Sequence, residues 1–239
     1  MRFTFCGNSA TCDSVLLQRE FKQRRSAATY ESLLLAAARV FARLGFDAAQ
    51  TPEIASEAGV STGAFYRYFP DKRAIFVEVV AHHLRESHAE VMARLTPEHF
   101  VGRADGDRRK AIDLVIEVLF DRIKRDADLE RVYLAMSYSD PEVRTLRAEY
   151  EALGCHALAK LIEVIVPRTV IPDAVAAARV IGITAVEIAA DRAGLRPRTG
   201  NTGSDRAVQT ALREMLYRYL FPDAPDVSEP PARPARRKR

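Results

Sequence analysis

Apolar residues in this chain return three and four positions apart, in one segment after another. Nowhere do they alternate with period two for long enough to make a strand. Leu33, Leu34, Ala37, Val40, Phe41 and Leu44 trace the first such stripe, and Gly45 supplies a stop. Further helices are predicted over 52–58, 62–69, 71–95, 107–125, 129–138, 141–166, 172–193 and 204–221. The breakers between them include "TPEHF", "SDPE", "VPRTVIP" and "GLRPRTGNTGS". The pattern predicts an all-α fold.

With 239 residues, 48% of them hydrophobic, the chain can bury a sizeable core. Its net charge of +4 tilts it mildly toward anionic partners, but much of the basic excess lies in 233–239, so the balance alone says little about nucleic acid. Cys6, Cys12 and Cys155 do not have metal-ligand spacing. A Cys6–Cys12 disulfide would need an oxidising compartment; an odd count without a signal-like apolar run favours reduced thiols and a cytoplasmic setting. The run 174–190 is the nearest approach to a membrane span, and Arg179 and Glu187 interrupt it, so no membrane partner is expected. There is no nucleophile elbow, phosphate loop or dinucleotide fingerprint, so neither an enzyme nor a bound cofactor is expected. His82, His83, Glu86, His88 and Glu90 share one helix without making a complete ligand set, and they read as a polar face.

The stretch "PEIASEAGVSTGAFYRYF" carries the functional signal. Two short helical segments are joined by "GVS", the format of a helix-turn-helix. Thr51 is predicted to cap the first segment, with Pro52 in its first turn. Ile54 and Ala55 face inward, Gly59 takes the positive φ that ends the first helix, Val60 plugs the corner and Ser61 caps the second. Phe65 and Phe69 lie one turn apart and should pack inward. Thr62, Gly63, Ala64, Tyr66, Arg67 and Tyr68 are left outward. The leading end is small and polar enough to approach base edges in a major groove. The tyrosine hydroxyls and Lys72 lie where flanking phosphates would be.

Residues 33–76, "LLLAAARVFARLGFDAAQTPEIASEAGVSTGAFYRYFPDKRAIF", resemble the TetR family of transcriptional regulators. The match rests on Ala-Ala and Phe in the first helix, then Gly, Ile-Ala, Ala-Gly-Val-Ser, Gly, Tyr, Tyr-Phe and Lys. The resemblance implies a homodimer on a palindromic double-stranded operator, released by a small-molecule effector and acting as a repressor. Thr62 and Ala64 would then meet bases, Gly63 would allow close approach, and Tyr66, Tyr68 and Lys72 would hold phosphates. Some residues depart from the family pattern. Ala49 and Gln50 stand at a usually Thr-rich cap, Tyr68 stands where His is commonest, and Ser32 replaces a usual basic residue. Arg24 and Arg25 are expected to compensate from an arm, in the minor groove.

Under the resemblance, Phe120, Ile123, Tyr133, Met136, Tyr150 and His156 are candidates for an effector cavity; each is also readable as ordinary core. Ile181, Ala185 and Ile188 stripe one late helix, and Val208, Leu212, Met215 and Tyr219 stripe the next. These stripes suit either a two-fold interface or burial within the protomer, and the family placement favours the interface. The expected organisation is a flexible arm over 1–23, a DNA-binding unit over 24–72, an effector-binding and dimerisation unit over 73–221 and a disordered basic tail over 222–239. The arm also reads in part as an artefact of start-site choice. The rival reading is a scaffold of the same fold that binds protein partners, with DNA secondary.

Overall fold

The structure is a computed structural model that describes residues 24–197 and 203–222. The expectations for the arm 1–23, Cys6, Cys12 and the tail beyond 222 lie outside them. Among the described residues there is no strand. The helices are α1 (Arg24–Ala48), α2 (Thr51–Glu57), α3 (Thr62–Phe65), α4 (Lys72–Met92), α5 (Asp105–Arg125), α6 (Ala127–Ser139), α7 (Pro141–Ile165), α8 (Ala174–Arg192) and α9 (Asp205–Leu220), with a 3₁₀ turn at Pro97–His99.

Helix ends follow the local chemistry. Ser61, Asp71, Asp140, Asp173 and Ser204 each accept a backbone amide from the turn they start. Helical geometry in α1 breaks at Gly45, where φ is 78°. The same helix starts at Arg24, ahead of the first apolar stripe. Arg24 and Arg25 therefore belong to a helix rather than to an arm. In the other direction, α3 is shorter than predicted. Regular helix ends at Phe65, and Tyr68 N–H and Phe69 N–H both close on the Phe65 carbonyl. Pro70 disfavours helical geometry at the preceding residue, so the last turn tightens.

Two hydrophobic clusters hold the chain together, and their boundary is not at residue 72. The first is aromatic. Phe41, Phe65, Phe69 and Phe76 are fully buried with Leu33, Val40, Ile54 and Ile75, and the cluster continues through Val79 and Val80 of α4 into Tyr133 of α6 and Val143 and Leu146 of α7. Tyr30 stacks on Phe69 with centroids 5.3 Å apart, and Phe41 meets Phe76 edge-on at 5.0 Å. The second cluster is mostly aliphatic, with many alanines. Ile112, Ile116, Phe120 and Ile123 of α5 pack with Leu161 and Ile162 of α7, Ala178, Ile181, Ala185 and Ala189 of α8, and Leu212 and Leu216 of α9. The helix-turn-helix is thus built into one end of a helical body, with α6 packed on α1.

A polar seam lies between the clusters. Arg122 of α5 is buried and reaches the His83 carbonyl at 3.1 Å and Glu90 at 3.3 Å, both on α4. His83 Nε2 meets Glu130 of α6 at 2.7 Å. Such a network fixes register at the cost of apolar packing.

Candidate nucleic-acid interface

The corner between α2 and α3 is made by backbone geometry. Gly59 has φ 70°, and Val60 N–H returns to the Ala55 carbonyl at 2.9 Å, closing the end of α2. Ser61 Oγ accepts Ala64 N–H at 3.2 Å. Phe65 and Phe69 are buried, which pins α3 from below. Gly63, Tyr66 and Arg67 are exposed and Thr62, Ala64 and Tyr68 half-buried, so α3 presents a small leading end to solvent.

Sequence reasoning missed how firmly this surface is tethered. The hydroxyls of Thr51 and Tyr66 lie 3.0 Å apart, linking the start of α2 to the end of α3. Tyr68 Oη lies 3.2 Å from Ser26 Oγ in the first turns of α1. Thr51 is not the cap of α2. Gln50 holds that position, and its backbone N–H donates to Glu53 Oε2 at 3.0 Å. Ser32, which stands in place of a usual basic residue, donates to the Ala58 carbonyl at 3.1 Å and so closes the C-terminus of α2. Arg39 pairs with Glu57 at 2.8 Å, with Arg43 at 3.7 Å from the same carboxylate.

Lys72 departs furthest from expectation. Its ammonium donates to the carbonyls of Phe46, Asp47 and Ala49 at 2.8, 2.9 and 3.1 Å. It also lies 4.8 Å from the centre of the Phe46 ring. Arg25 is in the first turn of α1, and its side chain is outside the described residues.

A second junction ties this surface to the body. Arg73 grips Asp140 with two bonds of 2.6 and 2.9 Å and reaches Glu142 at 3.0 Å. Asp140 also accepts the amides of Glu142 and Val143 as the cap of α7. The Arg73 guanidinium, then those amides, hold the Asp140 carboxyl below its ordinary range against the opposing effect of burial.

The six effector candidates do not converge. Phe120 and Ile123 are in the aliphatic cluster, while Tyr133 and Met136 are in the aromatic one. Tyr150 meets His88 edge-on at 5.9 Å, and His156 is exposed. Burial pushes the Tyr133 hydroxyl's pKa up and the His88 imidazole's down. Clefts of about 250 Å³ at the α7–α8 turn and about 210 Å³ between α5 and α9 involve none of the six. All six are large side chains on amphipathic helices, and sequence does not distinguish the lining of a cavity from filled core.

The interface stripe also needs correcting. Ile181, Ala185 and Leu212 are buried within the protomer; Ile188 and Val208 are half-buried. Met215 and Tyr219 do face outward, 50% and 48% exposed. The outward face of α8 is instead Val175, Val180, Ile183 and Val186. Apolar residues lie on both the inner and the outer side of this helix, so periodicity could not say which side faces the core.

Residues 33–79 match the family described as bacterial regulatory proteins, tetR family. Over this segment, about a fifth of the chain, the sequence is similar to TetR-family regulators. It is 31% identical over 112 residues to the transcriptional activator FasR of Mycolicibacterium smegmatis, covering 46% of this chain and 48% of that one. Over 55 residues it is 44% identical to the repressor BepR of Brucella suis, 23% of this chain and 26% of that one. The chain spans about half the length of FasR. Among solved structures, a TetR-family regulator from Mesorhizobium loti superposes with a TM-score of 0.65 at 21% identity, over 83% of this chain and 98% of that one. The fatty acid degradation regulator FadR of Bacillus halodurans gives 0.58 at 17% identity, over 83% and 97%. These two structural likenesses speak to the fold.

Proposed function

We propose that this protein is a DNA-binding transcriptional regulator that reads a palindromic operator as a homodimer. The observation that carries the reading is the surface of α3, small and polar at its leading end, pinned from below by Phe65 and Phe69 and flanked by tethered tyrosines. Thr62 and Ala64 would meet base edges, Gly63 would admit the backbone, and Tyr66, Arg67 and Tyr68 would lie along the phosphates. Arg25 would enter from the first turn of α1.

The second copy is supported by the outer faces of α8 and α9. Val180 and Ile183 are 63% and 53% exposed, and Met215 and Tyr219 extend the apolar surface. A patch of this kind on a chain with a TetR-like helix-turn-helix fits self-association across a two-fold axis. Repression is the mode we propose, since a dimer over a promoter needs no further contact to block transcription. A small-molecule effector would act by favouring a dimer whose reading surfaces are wrongly spaced, and could do so only by binding that state more tightly. The setting would be cytoplasmic; no described helix is long and apolar enough to cross a membrane.

The test is selection of duplexes from a random pool by the intact protein, followed by gel shift against salt. Enrichment of an inverted repeat with steep salt dependence supports the reading. Salt-dependent binding without any sequence enrichment would favour the scaffold alternative.

A further inference from the structure

A lysine at the first position of a helix is poorly placed, since the amide end of the helix dipole repels its charge. Lys72 occupies that position in α4. Its ammonium turns instead to the opposite kind of terminus. Beyond Gly45, where α1 loses helical geometry, the carbonyls of Phe46, Asp47 and Ala49 point at one spot and need donors. An ammonium has three N–H groups, and these three carbonyls take all of them. The Phe46 ring closes another side of the charge. A phosphate oxygen would have to displace one of these bonds.

We infer that Lys72 is a positioning residue, a clasp that fixes the α1–α2 corner to the start of α4, and not a phosphate ligand. The consequence is geometric. Ala49 and Gln50 lead directly into α2, and Gln50 caps it. The bonds from Lys72 span 23 to 26 residues of sequence and close a ring around the whole helix-turn-helix. Asp71 caps the same helix, accepting Ala74 N–H at 2.7 Å. The angle between the reading surface and α4 is therefore set at both sides of one junction. A tilt of α4 in the body would be carried to α2 through the clasp rather than lost in a loose corner.

This inference rests on the proposed DNA-binding reading, and two variants of the intact protein separate the possibilities. Lys72→Met keeps the aliphatic stem and removes the donors. Lys72→Arg keeps the charge, but its planar fork cannot reproduce a three-way ammonium nest, although it suits phosphate well. The probe is a duplex selected by the unmodified protein, with a scrambled duplex beside it, at temperatures where every variant is folded. Both variants are expected to lose about tenfold or more in affinity for the selected duplex and to discriminate less against the scrambled one. The slope of log affinity on log salt should change by less than about 0.5, because no phosphate contact is lost. A slope flattened by about 1.8, one phosphate from each protomer, would overturn the inference. So would a Lys72→Arg protein that binds as the unmodified one does. The DNA-free protein decides the clasp separately. Both variants should melt at least about 3 °C lower, against no shift for Lys124→Met at an exposed site; equal shifts refute it. If the unmodified protein selects no duplex, the functional reading fails while the melting comparison still judges the clasp.

Discussion

The protein turns two quite different helical faces to solvent. The outward side of α3 is short and polar, and the tyrosines beside it are held by hydroxyl contacts to Thr51 and Ser26. The outward side of α8 is long and largely aliphatic, with Val175, Val180, Ile183 and Val186 each about half exposed around Arg179. Water satisfies the first face adequately. The second leaves apolar surface wet, at about 25 cal/mol per Å², and is stabilised only by another apolar surface. Under the proposed function the two faces would meet different partners, a hydrated, charged polymer for α3 and a second protein surface for α8.

The most severe way to break that contrast is Ile183→Asp. An unpaired charge would enter the proposed interface from both copies, so self-association should weaken by at least about a hundredfold. Sedimentation would report monomer at micromolar concentration, and an unchanged dimer would show that α8 does not form the interface. Phe65→Ala acts on the other face. Emptying the space beneath α3 should cost about 3–5 kcal/mol in urea unfolding and abolish duplex binding, while sedimentation still reports a dimer.

Asp140→Asn probes the junction between the two regions. It removes the carboxylate from the Arg73 pair and should cost about 1–2 kcal/mol near neutral pH, a modest figure because Arg73 keeps half its side chain in water. The sign with pH follows from the depressed pKa of the folded carboxyl. The contribution is complete above the unfolded value of about 3.9 and is lost as pH falls through the lower folded value. The variant's acid-unfolding limb should therefore be flatter than that of the unmodified protein below about pH 4. The smallest effect belongs to Thr51→Val. Freeing the Tyr66 hydroxyl should weaken binding to a selected duplex about two- to fivefold with little change in thermal stability, as read by fluorescence anisotropy and melting.

The helix-turn-helix was legible because its constraints are local. Gly59 must take a positive φ, Ser61 must satisfy an amide three residues on, and Phe65 and Phe69 must share a face; each requirement names a residue type at a fixed spacing. The helical course of the body was legible for the same reason, from period and breakers. Three things were not. Lys72, Ser32 and Arg73 find partners more than twenty positions away, and nothing in the local pattern announces them. The inner side of α8 could not be chosen, because Ile181 and Ile183 look alike until α5, α7 and α9 are in place. The proposed effector residues split between two clusters because large apolar side chains on neighbouring helices carry no record of which core they join.

Hydroxyl-radical footprinting of a selected duplex, with the unmodified protein and with Ile183→Asp side by side, brings both faces into one measurement. If α3 reads DNA and α8 pairs the copies, two protected patches should appear on one side of the duplex, their centres about 34–36 Å apart, and both should vanish together in the variant. A single patch, patches on opposite sides, or protection that survives Ile183→Asp would contradict it.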